Sequence, residues 1–187
     1  MNLEDTIREC LDGKEGAWKM LVDLFSKRIF NLAYQFVGNA QEAEDLTQDI
    51  FLKLHRNLDR YDFDRNFAAW LLTLAKNHLI DEYRRTKWEK RNRDDFDDRL
   101  RVTASADDGP EAGLAAEETK KVLWEGLNRL SAETRMAVIL KEIQGRKYEE
   151  VAEILNIPVG TVKSRINRGR LQLAGLIRSA KERSHEL

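Results

Sequence analysis

At 187 residues the chain has room for one or two domains, and its 42% hydrophobic content supports packed cores, which excludes an intrinsically disordered chain. No apolar run approaches the roughly 18 residues of a membrane span. The first ten residues carry Glu4, Asp5, Arg8 and Glu9 rather than a secretory leader, and Cys10, the only cysteine, rules out an internal disulfide or a cysteine-based zinc site.

Taken in order, the pattern predicts helices throughout and almost no strand alternation. A first helix from about Glu15 to Val37 repeats Trp18, Leu21, Val22, Phe25, Ile29, Ala33 and Phe36 at helical spacing. Gly38-Asn39 ends it, and Asn39 with Glu42 three residues on caps the next, which runs from about Ala40 to Asn57 and buries Ala43, Leu46, Ile50 and Leu54. After a loop from Asp59 to Arg65, a third long helix covers about Asn66 to Lys87, with Phe67, Trp70, Leu71, Leu74 and Leu79 inward. A basic loop follows Arg85: residues 84–93 hold six basic groups and one acid.

The charge is segregated. Residues 1–93 balance 16 basic against 16 acidic groups, residues 94–118 hold nine acids and two bases, and residues 119–187 hold 14 bases and eight acids. The stretch 94–117, with its Asp-Asp pairs, Gly109-Pro110 and few large apolar residues, reads as a flexible acidic linker between helical domains at 1–93 and 118–187. In the second domain one helix covers about Glu118 to Leu130, with Val122, Leu123 and Leu127 inward, and Ser131 caps another that reaches about Gln144.

Tyr148 to Leu173 then reads as a helix-turn-helix. Val151, Ile154 and Leu155 face inward in its first helix. Asn156 tolerates the left-handed turn conformation, and Pro158 suits a helix start, where no amide hydrogen is needed. In the second helix, which continues toward Ala180, Val162, Ile166, Gly169 and Leu173 form one face, and Thr161, Ser164, Asn167 and Arg168 the other, flanked by Lys163 and Arg165. Arg can grip guanine and Asn adenine, while Ser, Thr and Lys hold phosphates, so this face suits a major groove. The plainer alternative is a solvated amphipathic helix. The absence of any acid between Val159 and Ala180 argues against it, since a solvated face usually mixes charge signs.

Three stretches converge: AEDLTQDIFLKL (43–54), FAAWLLTLAKNHLIDEYRR (67–85) and NIPVGTVKSRINRGR (156–170). In this order the chain, from about Ala17 to Leu176, resembles the extracytoplasmic-function (ECF), or group IV, sigma factors of bacterial RNA polymerase. The resemblance implies an all-α protein whose sigma region 2 and region 4 helix-turn-helix are joined by the acidic linker. The first stretch would then bind core polymerase, at the β′ clamp helices, through Asp45, Gln48, Asp49, Phe51 and Leu52. Read locally, Phe51 and Leu52 add apolar surface beyond the buried stripe, which fits either a partner or deeper burial in the domain's own core. The second stretch would read and open the −10 promoter element through Lys76, Asn77, Asp81, Arg84 and Arg85, with Lys87 and Trp88 beside a base flipped from one strand. An aromatic among cations suits an unstacked base, and equally a surface Trp covering its own domain. The third would read the −35 element through Thr161, Lys163, Ser164, Arg165, Asn167 and Arg168.

The chain departs from the pattern in places. Ser131 stands where many members have Pro. Asn167 stands where many have a larger or more basic residue. Trp70-Leu71 replaces the two tryptophans of primary sigma factors, which implies a weaker melting wedge and stricter promoter choice. The resemblance implies a stress-response regulator of transcription in the bacterial cytoplasm, with core polymerase (β′ and β), promoter DNA and a cognate anti-sigma factor as partners, and with no cofactor. The residues also leave open a stand-alone regulator or a nucleic-acid enzyme. For the enzyme the sequence offers no phosphate-binding Gly-rich loop, no metal-ligand cluster among its three scattered histidines, and no nucleophile–base pairing of persuasive spacing.

Overall fold

A computed structural model describes residues 2–92 and 123–184. The acidic stretch 94–117 and Val122 lie outside them. All the regular structure among the described residues is helical: α1 (Leu3–Leu11), α2 (Glu15–Val37), α3 (Ala40–Asn57), a 3-10 turn (Leu58–Arg60) and α4 (Phe67–Asn92) form the first domain. The second has helical backbone over 123–129 (α5), then α6 (Ala132–Val138), which widens into a π turn (Ile139–Ile143), α7 (Tyr148–Leu155) and α8 (Val159–Ser184).

The local chemistry explains the breaks. The Asn39 side chain accepts the Glu42 amide at 2.9 Å and starts α3. Asn66 does the same for α4 through the Ala69 amide at 3.0 Å. Ser131 Oγ accepts the Thr134 amide at 3.3 Å ahead of α6. Asn156 adopts the left-handed conformation (φ 53°) between α7 and α8, as the turn required.

Two expectations are corrected. Lys87 and Trp88 lie in α4, not in a loop, because α4 runs on to Asn92. No Gly or Pro interrupts it, and Arg85 clasps Glu82 (2.6 Å) and Glu89 (3.1 Å) along its surface, pairs that favour continued helix. Leu123 is exposed rather than inward, because the packed face of α5 follows Leu127 and the half-buried Trp124.

The two domains share one hydrophobic core. Buried residues of α1–α4, such as Leu21, Ile29, Phe36, Leu71 and Leu79, are continuous with Met136, Ile139, Val151, Ile154 and Val162 of the second domain. Contacts of α4 with α6 and α7, and of α2 with the π turn, make the junction. At its edge Gly38 closes α2 in the left-handed conformation (φ 80°), and a side chain there would begin 3.0 Å from the Trp124 ring. Gln144 reaches the Gln35 side chain at 3.0 Å, and the Thr73 hydroxyl bonds the Ala69 carbonyl (2.9 Å) with the Ile154 carbonyl 3.2 Å away.

His78 of α4 is 4% exposed, and neither ring nitrogen has a hydrogen-bond partner. Its Nε2 stands 3.7 Å from Asp49 Oδ2 of α3, beyond hydrogen-bond range, with Lys53 and Glu82 also facing it. Desolvation, reinforced by Lys53, pushes its pKa below the ordinary 6.5 against the pull of Glu82 and Asp49.

Two stability predictions follow from this packing. In Gly169→Ala the new methyl would sit 2.6 Å from Val138 Cγ2 and 3.1 Å from Thr134 Cγ2. We expect a loss of about 1–3 kcal/mol by urea unfolding of the full chain, as for other overpacked sites; an unchanged midpoint would contradict the packing of α8 on α6. His78 is buried neutral, so the unfolded chain takes up its proton first. Its contribution is therefore complete above pH ~6.5 and is lost as pH falls. Stability of the wild type should drop between pH 7 and 5.5, and His78→Leu should flatten that slope; an equal slope in both proteins would refute the assignment.

Candidate nucleic-acid and partner interfaces

Three surfaces carry the residues singled out in the sequence. The first is α8. Val162, Ile166 and Gly169 are buried against α6 and α7, which turns Lys163, Ser164, Asn167 and Arg168 outward in one exposed patch. Ser164 Oγ donates to the Thr161 carbonyl at 2.9 Å, a back-bond it can exchange for an outside acceptor. Lys163 Nζ lies 5.6 Å above the Tyr148 ring, which also receives Lys141 at 4.6 Å. Thr161 and Arg165 are only half exposed, and Arg165 points toward the first domain rather than into the patch. Arg170, a further cation of α8, pairs with Glu142 of the π turn at 2.7 Å.

The second surface is the polar face of α4. Asn77, Asp81, Arg84 and Trp88 recur at i+4, i+3 and i+4, so they form one stripe. All four are exposed, and Trp88, at 65%, presents most of its indole to solvent rather than covering its own domain. Lys76 is different: it is 8% exposed, and its Nζ donates to Asn77 Oδ1 at 2.6 Å. Burial lowers its pKa, partly offset by Asp81. Arg85 lies on the flank, held by Glu82 and Glu89, and Lys87 Nζ sits 5.7 Å over the Tyr83 ring. Asn77, Asp81 and Arg84 of the stripe, with Lys76 and Ile80, line a cleft of about 180 Å³ whose opposite wall is Glu133, Leu155 and Arg165. Arg84 closes onto Glu133 across it.

The third surface is a groove of about 480 Å³ between α2 and α3, lined by Trp18, Val22, Phe51, Leu52 and His55 with Thr47 and Gln48 at its rim. It is almost entirely apolar, and Leu52 is 55% exposed. The Trp18 and His55 rings meet at 4.6 Å between centroids, tilted by 35°. Asp45, Gln48 and Asp49 stand exposed on α3 beside it. Trp18 and Val22 are thus half-buried groove walls one residue off the buried stripe, on the side of α2 that flanks α3, and Trp18 also packs against the core.

Sequence reasoning missed Glu133, Arg135 and the Trp18–His55 wall. Arg135 is 1% exposed. Its signal was available, since it is a cation inside the apolar run that continues through Met136, Ala137, Val138, Ile139 and Leu140. Glu133 reads as an ordinary acid of a first helical turn, and nothing local marks it as reaching another domain.

The Sigma-70 region 2 family matches residues 21–89, and the Sigma-70 region 4 family matches residues 120–173. Among curated proteins, the chain is 33% identical to the ECF RNA polymerase sigma factor SigW of Bacillus subtilis, over 95% of this chain and 98% of that one. It is 30% identical to the ECF RNA polymerase sigma-E factor of Escherichia coli K12, over 84% and 85%. Two solved structures share the fold. The sigma factor RpoE in complex with the anti-sigma factor NepR, from Bartonella quintana, superposes with a TM-score of 0.65 at 30% identity, covering 86% of this chain and 96% of that chain. CnrH in complex with the cytosolic domain of CnrY gives 0.67 at 25% identity, covering 93% and 96%. Among the described residues no helix is long and apolar enough to cross a membrane.

Proposed function

The chain belongs to the ECF sigma factors of RNA polymerase, and from that premise we propose how it divides the work of a group IV promoter-specificity subunit. The apolar groove between α2 and α3, with Asp45, Gln48 and Asp49 beside it, docks on core polymerase. The stripe Asn77–Asp81–Arg84–Trp88 of α4, with Lys76, Arg85 and Lys87 beside it, takes the −10 element. The α8 patch, with Thr161 and Arg165 at its edge, takes the −35 element. The chain performs no covalent chemistry; it supplies address and orientation. An anti-sigma factor is its second class of protein partner, a reading supported by the anti-sigma factor bound to the similar RpoE.

The observation that carries this reading is the segregation of surface types on rigid helices. One groove is apolar enough to need a protein, and two polar stripes are basic or aromatic enough to suit DNA. On α8, Asn167 and Arg168 stand one helical turn beyond Lys163 and Ser164, which lets one pair reach base edges while the other holds the phosphate backbone. On α4, Trp88 stands one turn from Arg84, an arrangement in which a base can stack beside a cation that holds its phosphate.

In vitro transcription with purified bacterial core polymerase on a promoter library tests the function. Specific starts that depend on the chain are expected; starts indistinguishable from core alone would overturn it. Within that assay, Arg168→Ala should weaken matched −35 sites by about 1–3 kcal/mol more than scrambled ones. Lys163→Ala should weaken both about equally and lower the salt dependence. Equal losses on matched and scrambled sites for Arg168→Ala would contradict its role in base reading. Leu52→Asp places a charge in the groove and should reduce core affinity at least tenfold, about 1.4 kcal/mol, by competition binding, with helicity unchanged. Unaltered affinity would remove the groove from the polymerase interface.

A further inference from the structure

His78 stands where an apolar residue would serve the fold better. It follows Leu71 and Ala75 on the buried face of α4, one helical turn further on, and is 4% exposed. A neutral imidazole always carries one N–H and one lone pair. Neither ring nitrogen has a hydrogen-bond partner. A buried polar group left in that state costs stability, so a ring kept there is explained by a partner that arrives later.

The acceptor within reach is Asp49. The charged groups facing the ring are Asp49 and Lys53 of α3 and Glu82 of α4 itself. Lys53 has no acceptor to offer. Glu82 is engaged by Arg85, whose Nε and one Nη donate to the same carboxylate oxygen at 3.0 and 2.6 Å. Asp49 Oδ2 lies 3.7 Å from His78 Nε2, so a shift of about 1 Å or less brings it into hydrogen-bond range. A carboxylate beside Nε2 favours the tautomer that carries its proton there. The Asp49 side chain is 57% exposed and shares a face of α3 with Asp45, Gln48 and Leu52. A protein laid over that face strips water from the carboxylate, which must then gain donors. With solvent gone, a bond from beneath strengthens.

We propose that His78 is a positioning residue for polymerase docking: its Nε2–H takes one oxygen of Asp49 from beneath as the partner covers α3, which leaves the other oxygen aimed outward at a donor on the polymerase. The inference rests on the assignment of Asp49 to that interface. His78 itself touches no part of the polymerase; it acts through Asp49, and the bond it lacks in the free chain is completed by docking.

Affinity of the full chain for core polymerase, measured by competition in a double-mutant cycle of His78→Leu and Asp49→Ala, tests this. Asp49→Ala should lose about tenfold. His78→Leu should also lose about tenfold alone, but under about twofold in the Asp49→Ala background. His78→Gln, whose amide N–H can stand near the Nε2 position, should hold affinity within about twofold of wild type. A packing role would give the opposite order, since Leu suits a buried site better than Gln. Should His78→Leu fail to fold by far-UV circular dichroism, His78→Phe, which keeps a ring and deletes both nitrogens, takes its place in the cycle. Equal losses in both backgrounds, no loss in the wild-type background, or a His78→Gln variant as weak as His78→Leu would each overturn the inference. Its premise fails separately, through an Asp49→Ala variant that binds core polymerase like wild type.

Discussion

A buried guanidinium ties the two halves of this chain together. Arg135 offers five N–H donors to a site that supplies two backbone carbonyls, one phenol and two aromatic faces. The carbonyls are those of Phe36 and Leu127, near the C-terminal ends of α2 and α5, where helices leave acceptors without intrahelical donors. The cation thus satisfies groups that each helix end leaves open. Burial pushes its pKa below the ordinary value, with Tyr83 pulling the other way. Such a site is stable only while complete, because removing acceptors from a buried charge costs several kcal/mol. Everything else at the junction is arranged around it: Trp124 against Gly38, Gln144 against Gln35, Glu133 against Arg84.

That constraint links fold to function. The two helices proposed to read DNA, α4 and α8, are positioned by burial of their opposite faces. Val162, Ile166 and Gly169 fix the rotation of α8, while Leu71, Leu72, Ala75 and Leu79 fix that of α4. The rotation of α4 sends Lys76 and Ile80 into the junction and leaves Asn77, Asp81, Arg84 and Trp88 on the rim. One helix therefore serves both the internal contact and the proposed external one, and small changes in domain separation change what its side chains meet.

Much of this was legible in the sequence. Periodicities of Leu21–Phe25–Ile29, of Ala43–Leu46–Ile50–Leu54 and of Val162–Ile166–Gly169 identified the buried faces, since each stripe packs at 3.6-residue spacing. Caps at Asn39 and Ser131 and the left-handed Asn156 followed from side-chain chemistry. The continuation of α4 through Trp88 was not legible, because a run of cations resembles a loop until Glu82 and Glu89 are seen neutralising Arg85. Nor was the cleft. Arg84, Glu133 and Arg165 are far apart in the chain, and no local pattern reports which exposed charges a tertiary contact will bring together. The apolar groove was half visible: Phe51 and Leu52 showed surplus hydrophobicity on α3, but its other wall, Trp18 and Val22, was absorbed into the core stripe of α2.

The account turns on the division of this surface between an apolar groove proposed for polymerase and two polar stripes proposed for DNA. The most direct measurement is photocrosslinking from positions 52, 88 and 168, each given a photoreactive side chain in turn, in the complex with core polymerase and a selected promoter. Crosslinks from position 52 to polymerase and from positions 88 and 168 to promoter DNA are the predicted result. Crosslinks from position 52 to DNA, or from positions 88 and 168 to protein alone, would contradict it.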